Sequence, residues 1–130
     1  MRIALITDIH EDLPSLEKMI ARAEKKGFDL MVCLGDICGF GLPHYRYRDD
    51  RTASGCLSLV REKCEIIIPG NHDLHAAQRI PEHSDVFSFP RNWFELDAAS
   101  RESLAGETLW THSDDLCPGY SYEDLEFLRG

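Results

Sequence analysis

Short apolar runs predict three strands that alternate with two helices in the first half of the chain. Residues 2–7 and 29–34 are nearly continuous runs of apolar side chains, and residues 65–69 form a third run. All three runs are predicted to be strands, and the first is typical of a strand that is buried on both faces of a sheet. Between them, residues 12–27 and 52–63 repeat apolar side chains at the spacing of one helix face.

The signals at the ends of the first helix support this order of elements. Asp12 can cap the helix, and Pro14 suits its first turn because proline lacks an N–H group there. Lys25 and Lys26 lie in the last turn, where positive charge is favourable, and Gly27 ends the helix. Strands that alternate with helices predict a parallel sheet with right-handed crossovers, and therefore an α/β fold.

The regular pattern fades after the third strand. Two further short helices are predicted over residues 99–105 and 121–129, with loops around them. The sequence therefore indicates a single domain over residues 1–130. We expect a β-α-β-α-β core over residues 1–73 and an irregular or helical extension over residues 74–130.

Composition and charge argue against several classes of binding partner for this chain. The 130 residues carry a formal net charge of −9, which argues against a nucleic-acid backbone or an anionic membrane as the main partner. A hydrophobic content of 43% excludes a disordered chain. No apolar run is long enough to cross a membrane, and the first run reaches a charge at Asp8, which argues against a signal peptide.

The cysteines indicate a reducing compartment. The count of five is odd, and no C-x-x-C pair occurs. Without an export signal, free thiols in the cytoplasm are the expected state. Cys33 lies inside an apolar run and is expected to be a small core residue.

Each predicted strand ends in a polar cluster. Parallel strands place their carboxyl ends at one edge of a sheet, where ligand sites form, so these distant segments should converge. The clusters are Asp8-Ile9-His10, Gly35-Asp36-Ile37-Cys38-Gly39 and Gly70-Asn71-His72-Asp73.

The residue types in these clusters are those of a metal site. Two carboxylates, an imidazole and an amide oxygen suit Mn²⁺, Fe or Zn²⁺ better than they suit metals that prefer soft ligands. Asp8 and His10 are two positions apart and share a face if the strand continues. Asp36 has two carboxylate oxygens and could bridge two ions.

The combination D-x-H, G-D-x-x-G and G-N-H-D, each after an apolar strand, resembles the calcineurin-like metallophosphoesterase superfamily. Residues 35–43 are similar to its small bacterial and archaeal phosphodiesterase branch. The resemblance implies the N-terminal β-α-β-α-β part of a four-layer αββα sandwich whose second sheet is largely missing here. It also implies hydrolysis of a small phosphomonoester or phosphodiester by a hydroxide held between two divalent ions. Mn²⁺ is the expected metal, with Fe, Zn²⁺ or Ni²⁺ as alternatives.

The resemblance assigns a role to each motif residue. His72 would not bind metal but would act on the leaving oxygen as a general acid or stabiliser. Asp73 would orient a neighbouring ligand. The expected metal ligands are Asp8 and His10 for the first ion, Asp36 as the bridge and Asn71 for the second ion.

The second half of the chain departs from the family pattern. No G-H-x-H motif exists, and His112 is the one late histidine that could act as a further metal ligand. Against that role, residues 121–129 look like the helix that usually precedes the strand bearing this ligand. Two other functions therefore stay open: a metal-binding remnant without catalysis, and a plain α/β binding module. A missing second sheet would leave an apolar sheet face uncovered and able to self-associate.

The remaining candidates are expected to be structural. His75 and His83 are predicted to be surface or loop residues. Within the loop of residues 44–51, Arg46 or Arg48 could steer a phosphate, although a solvated loop is the simpler interpretation. The aromatic residues Trp93, Phe94 and Trp110 are expected to pack rather than to stack on bases.

Overall fold

The computed structural model describes residues 1–39, 50–79, 88–113, 115 and 117–130. The candidate loop arginines and His83 lie outside these residues. The described elements are β1 (Ile3–Ile6), α1 (Leu13–Lys26), β2 (Leu30–Cys33), α2 (Ala53–Lys63), β3 (Ile66–Ile67), α3 (Asn71–Ala76), a 3₁₀ turn (Trp93–Glu95), α4 (Ala98–Ala105) and α5 (Tyr122–Arg129).

The three strands form one parallel sheet in the order β1-β2-β3. Leu5 pairs with Val32, which in turn pairs with Ile66, so these three side chains lie on one face of the sheet. Helices α1 and α2 provide the two crossovers between the strands. The predicted α/β order with a small parallel sheet is therefore confirmed.

Helix α1 forms where the sequence places its end signals. The Asp12 carboxylate accepts a hydrogen bond from Ser15 N at 3.0 Å, and Gly27 ends the helix with a φ of 70°. The apolar stripe of α1 buries Leu16 and Ile20 against the sheet. The helix side of the sheet is thus the core, which contains Ile6, Met31, Cys33, Leu16, Ile20, Leu57 and Val60.

The opposite side is an apolar sheet face, defined here as Ile3, Leu5, Leu34, Ile66 and Ile68. Their side chains are strongly exposed, at 47% for Ile3, 62% for Leu5 and 51% for Ile68. The interpretation of the first run as a strand that is buried on both faces is therefore wrong for β1. The reason is that both crossover helices pack on one side, and no other described element covers the second side.

We predict that this apolar sheet face makes the chain self-associate. Burying Leu5 in a contact between copies would contribute about 1.5–3 kcal/mol, so Leu5→Gln should raise the dissociation constant roughly tenfold or more. Sedimentation velocity over a range of concentrations measures this shift. Leu104→Gln is the matched control, because Leu104 is similarly exposed, at 56%, but lies on α4. A single monomeric species at every concentration would contradict the prediction.

The cysteines are free thiols, as expected. Cys33, Cys38, Cys56 and Cys64 are buried, and burial raises the pKa of Cys56 to about 12. Such thiols stay protonated and pack as small apolar groups. Within the described ranges, no helix combines the length and the apolar character that crossing a membrane requires.

Asp124 joins α5 to α2. Its carboxylate accepts hydrogen bonds from the Ser54 hydroxyl at 2.6 Å and from Ser121 N at 3.1 Å, while Ser121 caps α5 in return. Burial acts to raise the pKa of Asp124, but these hydrogen bonds outweigh it and hold the pKa below its ordinary value. The ionised form is therefore favoured in the folded chain.

Asp124→Ala should reduce the free energy of unfolding by about 1 kcal/mol at pH 7, as loss of a helix cap does. A depressed pKa in the folded state contributes stability above the unfolded pKa of about 4, and this is lost as the pH falls through the lower folded value. The difference between the wild type and Asp124→Ala should therefore narrow toward pH 3 in urea unfolding. Ser54→Ala, which removes only the donor on α2, should show a smaller change of the same sign. A difference that stays constant with pH would refute this account.

Candidate metal centre

The ends of β1 and β2 stay paired beyond the strands. Asp8 N donates to Gly35 O at 3.2 Å, and His10 N donates to Asp36 O at 2.9 Å. The two strand-end motifs therefore run side by side across one edge of the sheet. The convergence expected from a parallel sheet is present in the structure.

The first cluster of ligand-type side chains consists of Asp8, His10 and Asp36. One donor atom from each lies within 4.8 Å of the others. The His10 ring is oriented by the Cys38 carbonyl, which lies 3.0 Å from Nδ1, and its Nε2 lies 3.7 Å from an Asp8 oxygen. Histidine metal ligands are commonly held in this way, with one ring nitrogen on a backbone carbonyl and the other facing the ion.

Close approach of the β2 and β3 ends depends on two glycines. A Cβ at Gly70 would lie 2.1 Å from Asp36 Oδ1, and a Cβ at Gly35 would lie 2.0 Å from Gly70 N. Neither distance is compatible with a side chain. Only glycine lets Asp36 sit against the third strand-end motif.

Several site residues have left-handed backbone conformations. The φ angle is 55° at Asp8, 46° at His10, 54° at Asp36 and 53° at His112. This region is unfavourable for residues with a Cβ and is often found where a site imposes geometry on the backbone.

Asp73 fixes the backbone around this cluster. Its side chain is fully buried, and its carboxylate accepts hydrogen bonds from Ile37 N at 3.0 Å, Cys38 N at 3.1 Å and Gly70 N at 3.0 Å. Burial raises the pKa of Asp73, and the three backbone donors partly offset that rise. Asp73 therefore orients the loop that carries Asp36 by accepting hydrogen bonds from backbone N–H groups, and not by binding a ligand side chain.

The second cluster consists of His72, His112 and Asp115. His72 Nδ1 lies 2.6 Å from an Asp115 carboxylate oxygen, and His112 Nδ1 lies 3.3 Å from the same oxygen. Burial acts to lower the pKa of His72, but the hydrogen bond and charge of Asp115 outweigh it and raise the pKa.

One hydrogen bond joins the two clusters. His72 N donates to Asp36 Oδ1 at 3.1 Å, and the His10 and His72 ring centroids lie 5.2 Å apart. The two clusters are therefore parts of a single site, with buried imidazoles between carboxylates. This is the mixed oxygen and nitrogen set that first-row divalent metals bind.

Most of the residues proposed from the sequence meet here. Asp8, His10, Asp36 and His72 lie together, whereas Asn71 begins α3 and lines a neighbouring cavity with His112. Residues 121–129, whose helical pattern was taken as evidence against His112 as a ligand, do form a helix, α5. His112 nevertheless lies in the site beside His72, with ring centroids 4.7 Å apart.

His75 and Asp115 differ from the sequence analysis. The expectation that His75 is a surface or loop residue is wrong: it lies on α3, is half-buried, and stacks on His112 with ring centroids 4.5 Å apart. Asp115 was missed because it lies 43 residues from His72 in a polar stretch without a recognisable spacing. No local signal in the sequence marks it.

Glu11 was also missed. It is 2% exposed, its carboxylate pairs with the Arg51 guanidinium, and Gly39 N donates to it at 3.4 Å. Burial raises the pKa of Glu11, and Arg51 partly offsets that rise. Arg51 also donates to Cys117 O at 3.3 Å, so this ion pair connects both strand-end loops to the C-terminal segment.

A family model for calcineurin-like phosphoesterases matches residues 1–128. The chain belongs to the calcineurin-like phosphoesterase family. The crystal structure of a metallophosphoesterase from Sphaerobacter thermophilus is similar to this phosphoesterase-family chain, with a TM-score of 0.57 and 25% identity. That match covers 99% of this chain and 40% of the other.

A curated relative is the uncharacterized protein MJ0912 of Methanocaldococcus jannaschii. It is 32% identical over 71 residues, which are 55% of this chain and 26% of the relative. This member of the phosphoesterase family thus spans about a quarter of MJ0912 and two fifths of the Sphaerobacter protein. Proteins of the family typically bind divalent metals, and the two clusters of ligand-type residues fit that chemistry.

Proposed function

We propose that this chain hydrolyses small phosphate esters with the help of divalent metal ions. The observation that carries the proposal is the single site formed by Asp8, His10 and Asp36 with the His72–Asp115 pair, joined through the bond from His72 N to Asp36. Family membership supports metal-dependent phosphoester hydrolysis as the class of reaction. We propose Mn²⁺ as the metal. We also propose the cytoplasm as the compartment of this chain, because free thiols are stable there.

Some residues of the site would bind the metal ions, and another would transfer a proton. Asp8, His10 and Asp36 would hold the first ion, with Asp36 also facing the second, for which Asn71 and His112 are the candidate ligands. Divalent ions at such a site lower the pKa of bound water and neutralise phosphate charge. They also supply the local positive charge that an anionic substrate needs on a chain of net charge −9.

We propose that His72 protonates the leaving oxygen. It is 3% exposed, and an Asp115 carboxylate oxygen lies 2.6 Å from its Nδ1. A carboxylate behind an imidazole fixes the tautomer and orientation of the ring and stabilises its charged form. When the P–O bond breaks, the leaving oxygen would take its proton from this ring.

The test of this role compares two leaving groups with Mn²⁺ present. 4-Nitrophenolate leaves without a proton, whereas an alkoxide needs one. His72→Ala should therefore slow an alkyl phosphodiester about 100-fold or more and a 4-nitrophenyl diester much less. Equal losses on both substrates would exclude His72 as the acid.

A metal-binding role without catalysis is the second candidate. It is favoured by the two clusters of three ligand-type side chains each, which support metal binding whether or not turnover follows. Saturable Mn²⁺ binding with no turnover of either diester would establish it. No Mn²⁺ binding would exclude both functions and leave a plain α/β binding module.

A further inference from the structure

A largely buried ion pair adjoins the metal centre. Glu11 directly follows the candidate ligand His10, and its side chain is 2% exposed. Its Oε2 lies 2.5 Å from Nη1 of Arg51, whose side chain is 26% exposed. Taking two charges out of water costs free energy that their attraction often does no more than offset, so such a pair is weak evidence of added stability. We therefore looked for its role in the backbone that the two side chains hold.

Glu11 holds the loop that orients His10. Cys38 O lies 3.0 Å from His10 Nδ1 and sets the direction of that ring. Both chain neighbours of Cys38 are bound to Glu11. Glu11 N donates to Ile37 O at 2.8 Å, and Gly39 N donates to the Glu11 carboxylate at 3.4 Å. Glu11 thus fixes the backbone on each side of the carbonyl that orients a candidate metal ligand.

The same loop borders His72. A Cβ at Gly39 would lie 2.4 Å from His72 Nδ1, so the loop backbone packs directly against that ring. A shift of Gly39 away from Glu11 would therefore change the space around His72 as well as the direction of the Cys38 carbonyl. Loss of such supporting contacts typically changes metal affinity or activity 10–100-fold.

Arg51 connects this loop to the segment that carries Asp115. Its Nη2 donates to Cys117 O at 3.3 Å. Cys117 is two residues after Asp115, whose carboxylate lies 2.6 Å from His72 Nδ1 in the second cluster. A guanidinium presents several N–H donors in a fixed plane, so one side chain serves both Glu11 and Cys117. A lysine ammonium has a single nitrogen in place of that fork.

We propose that Glu11 and Arg51 are positioning residues that hold the first cluster of the metal centre in place relative to the second. Glu11 acts on the first cluster through the Cys38 carbonyl, and Arg51 acts on the second through Cys117. Neither side chain contacts a metal or a substrate in this assignment. The proposal rests on the proposed function where it concerns His72 as the proton donor, whereas its part on metal binding stands without hydrolysis.

Mn²⁺ binding tests the pair without turnover, because electron paramagnetic resonance measures the free ion directly. Glu11→Gln keeps the size of the side chain but leaves one acceptor oxygen for two donors, Gly39 N and Arg51. Arg51→Lys keeps the charge opposite Glu11 but loses the bond to Cys117 O. Each variant should weaken Mn²⁺ binding about tenfold. Wild-type affinity in both variants would overturn the proposal.

The matched control is Arg61→Lys. It makes the same chemical change on α2, where the Arg61 guanidinium lies 4.6 Å from the ring centroid of Phe127, away from the site contacts described above. It should leave both Mn²⁺ binding and hydrolysis unchanged.

The two leaving groups distinguish positioning from general support of the fold. With Mn²⁺ saturating, Arg51→Lys should slow the alkyl phosphodiester about tenfold and the 4-nitrophenyl diester about twofold at most, because only the alkoxide needs a proton from His72. A purely structural role would lower the amount of folded protein and slow both substrates equally. Equal losses would therefore overturn the role assigned to Arg51.

Circular dichroism establishes whether each variant is folded. If Glu11→Gln does not fold, Arg51→Lys decides the proposal, because it retains the charge pair. Weaker Mn²⁺ binding in the folded variants, with no hydrolysis by any form, would support the positioning pair and reject the hydrolytic function. Hydrolysis by the wild type, with Mn²⁺ binding and both rates unchanged in Arg51→Lys, would support the function and reject the pair.

Discussion

Asp36→Asn is expected to abolish Mn²⁺-dependent hydrolysis and to weaken metal binding by more than about 100-fold. Residues that only orient a ligand change metal affinity or activity 10–100-fold when they are replaced. A carboxylate that would itself be shared by two ions should therefore cost more. The amide oxygen of asparagine can still accept the bond from His72 N, which measures 3.1 Å in the wild type. The fold should therefore persist while the negative charge is lost.

The measurement is the Mn²⁺-dependent rise in melting temperature, followed by steady-state hydrolysis. Asp29→Asn is the matched control, because Asp29 is exposed and precedes β2 at the opposite end of the sheet from the site. The control should keep both the metal effect and the activity. If Asp36→Asn kept the full stabilisation by Mn²⁺, Asp36 would not be a metal ligand.

Asp73→Ala is expected to destabilise the chain by about 3–5 kcal/mol. The substitution leaves three backbone N–H groups without their acceptor, and each buried unsatisfied donor costs roughly 1–3 kcal/mol. Those donors belong to Ile37, Cys38 and Gly70, so the connection between the ends of β2 and β3 would be lost as well. Urea unfolding at pH 7 measures the loss.

Asp73→Asn provides the comparison. Asparagine keeps one acceptor oxygen and has nearly the same shape, and burial already disfavours the charged carboxylate by raising the pKa of Asp73. It should therefore lose clearly less stability than Asp73→Ala. Losses below about 1 kcal/mol in both variants would show that the three hydrogen bonds contribute little.

The sequence predicted the elements whose formation is local or strongly patterned. The branched runs became β1, β2 and β3, and the apolar stripes became α1 and α2, because the parallel sheet buries one face against those helices. Helix α3 was not anticipated. It has six residues and consists of the polar end of the third motif, so it has no apolar periodicity to detect.

The site was predictable only where its residues follow strands directly. Asp8, His10 and Asp36 could be placed together because parallel strands end at one edge of a sheet. Asp115 and Glu11 enter through contacts with residues about 40 positions away, and those contacts depend on how the connecting loops fold. A pattern of spacing within one segment carries no information about such contacts.

The site residues with left-handed backbone conformations lower the stability of this chain. Left-handed geometry at a residue with a Cβ is unfavourable by roughly 1–2 kcal/mol, and Asp8, His10, Asp36 and His112 all adopt it. Together this is a large share of the roughly 5–15 kcal/mol that holds a typical domain folded. Glycine at these positions would relieve the strain and remove the candidate ligand side chain in the same step. A search for heat-resistant variants would therefore select against this site, and a chain that retains these four residues forgoes stability to do so.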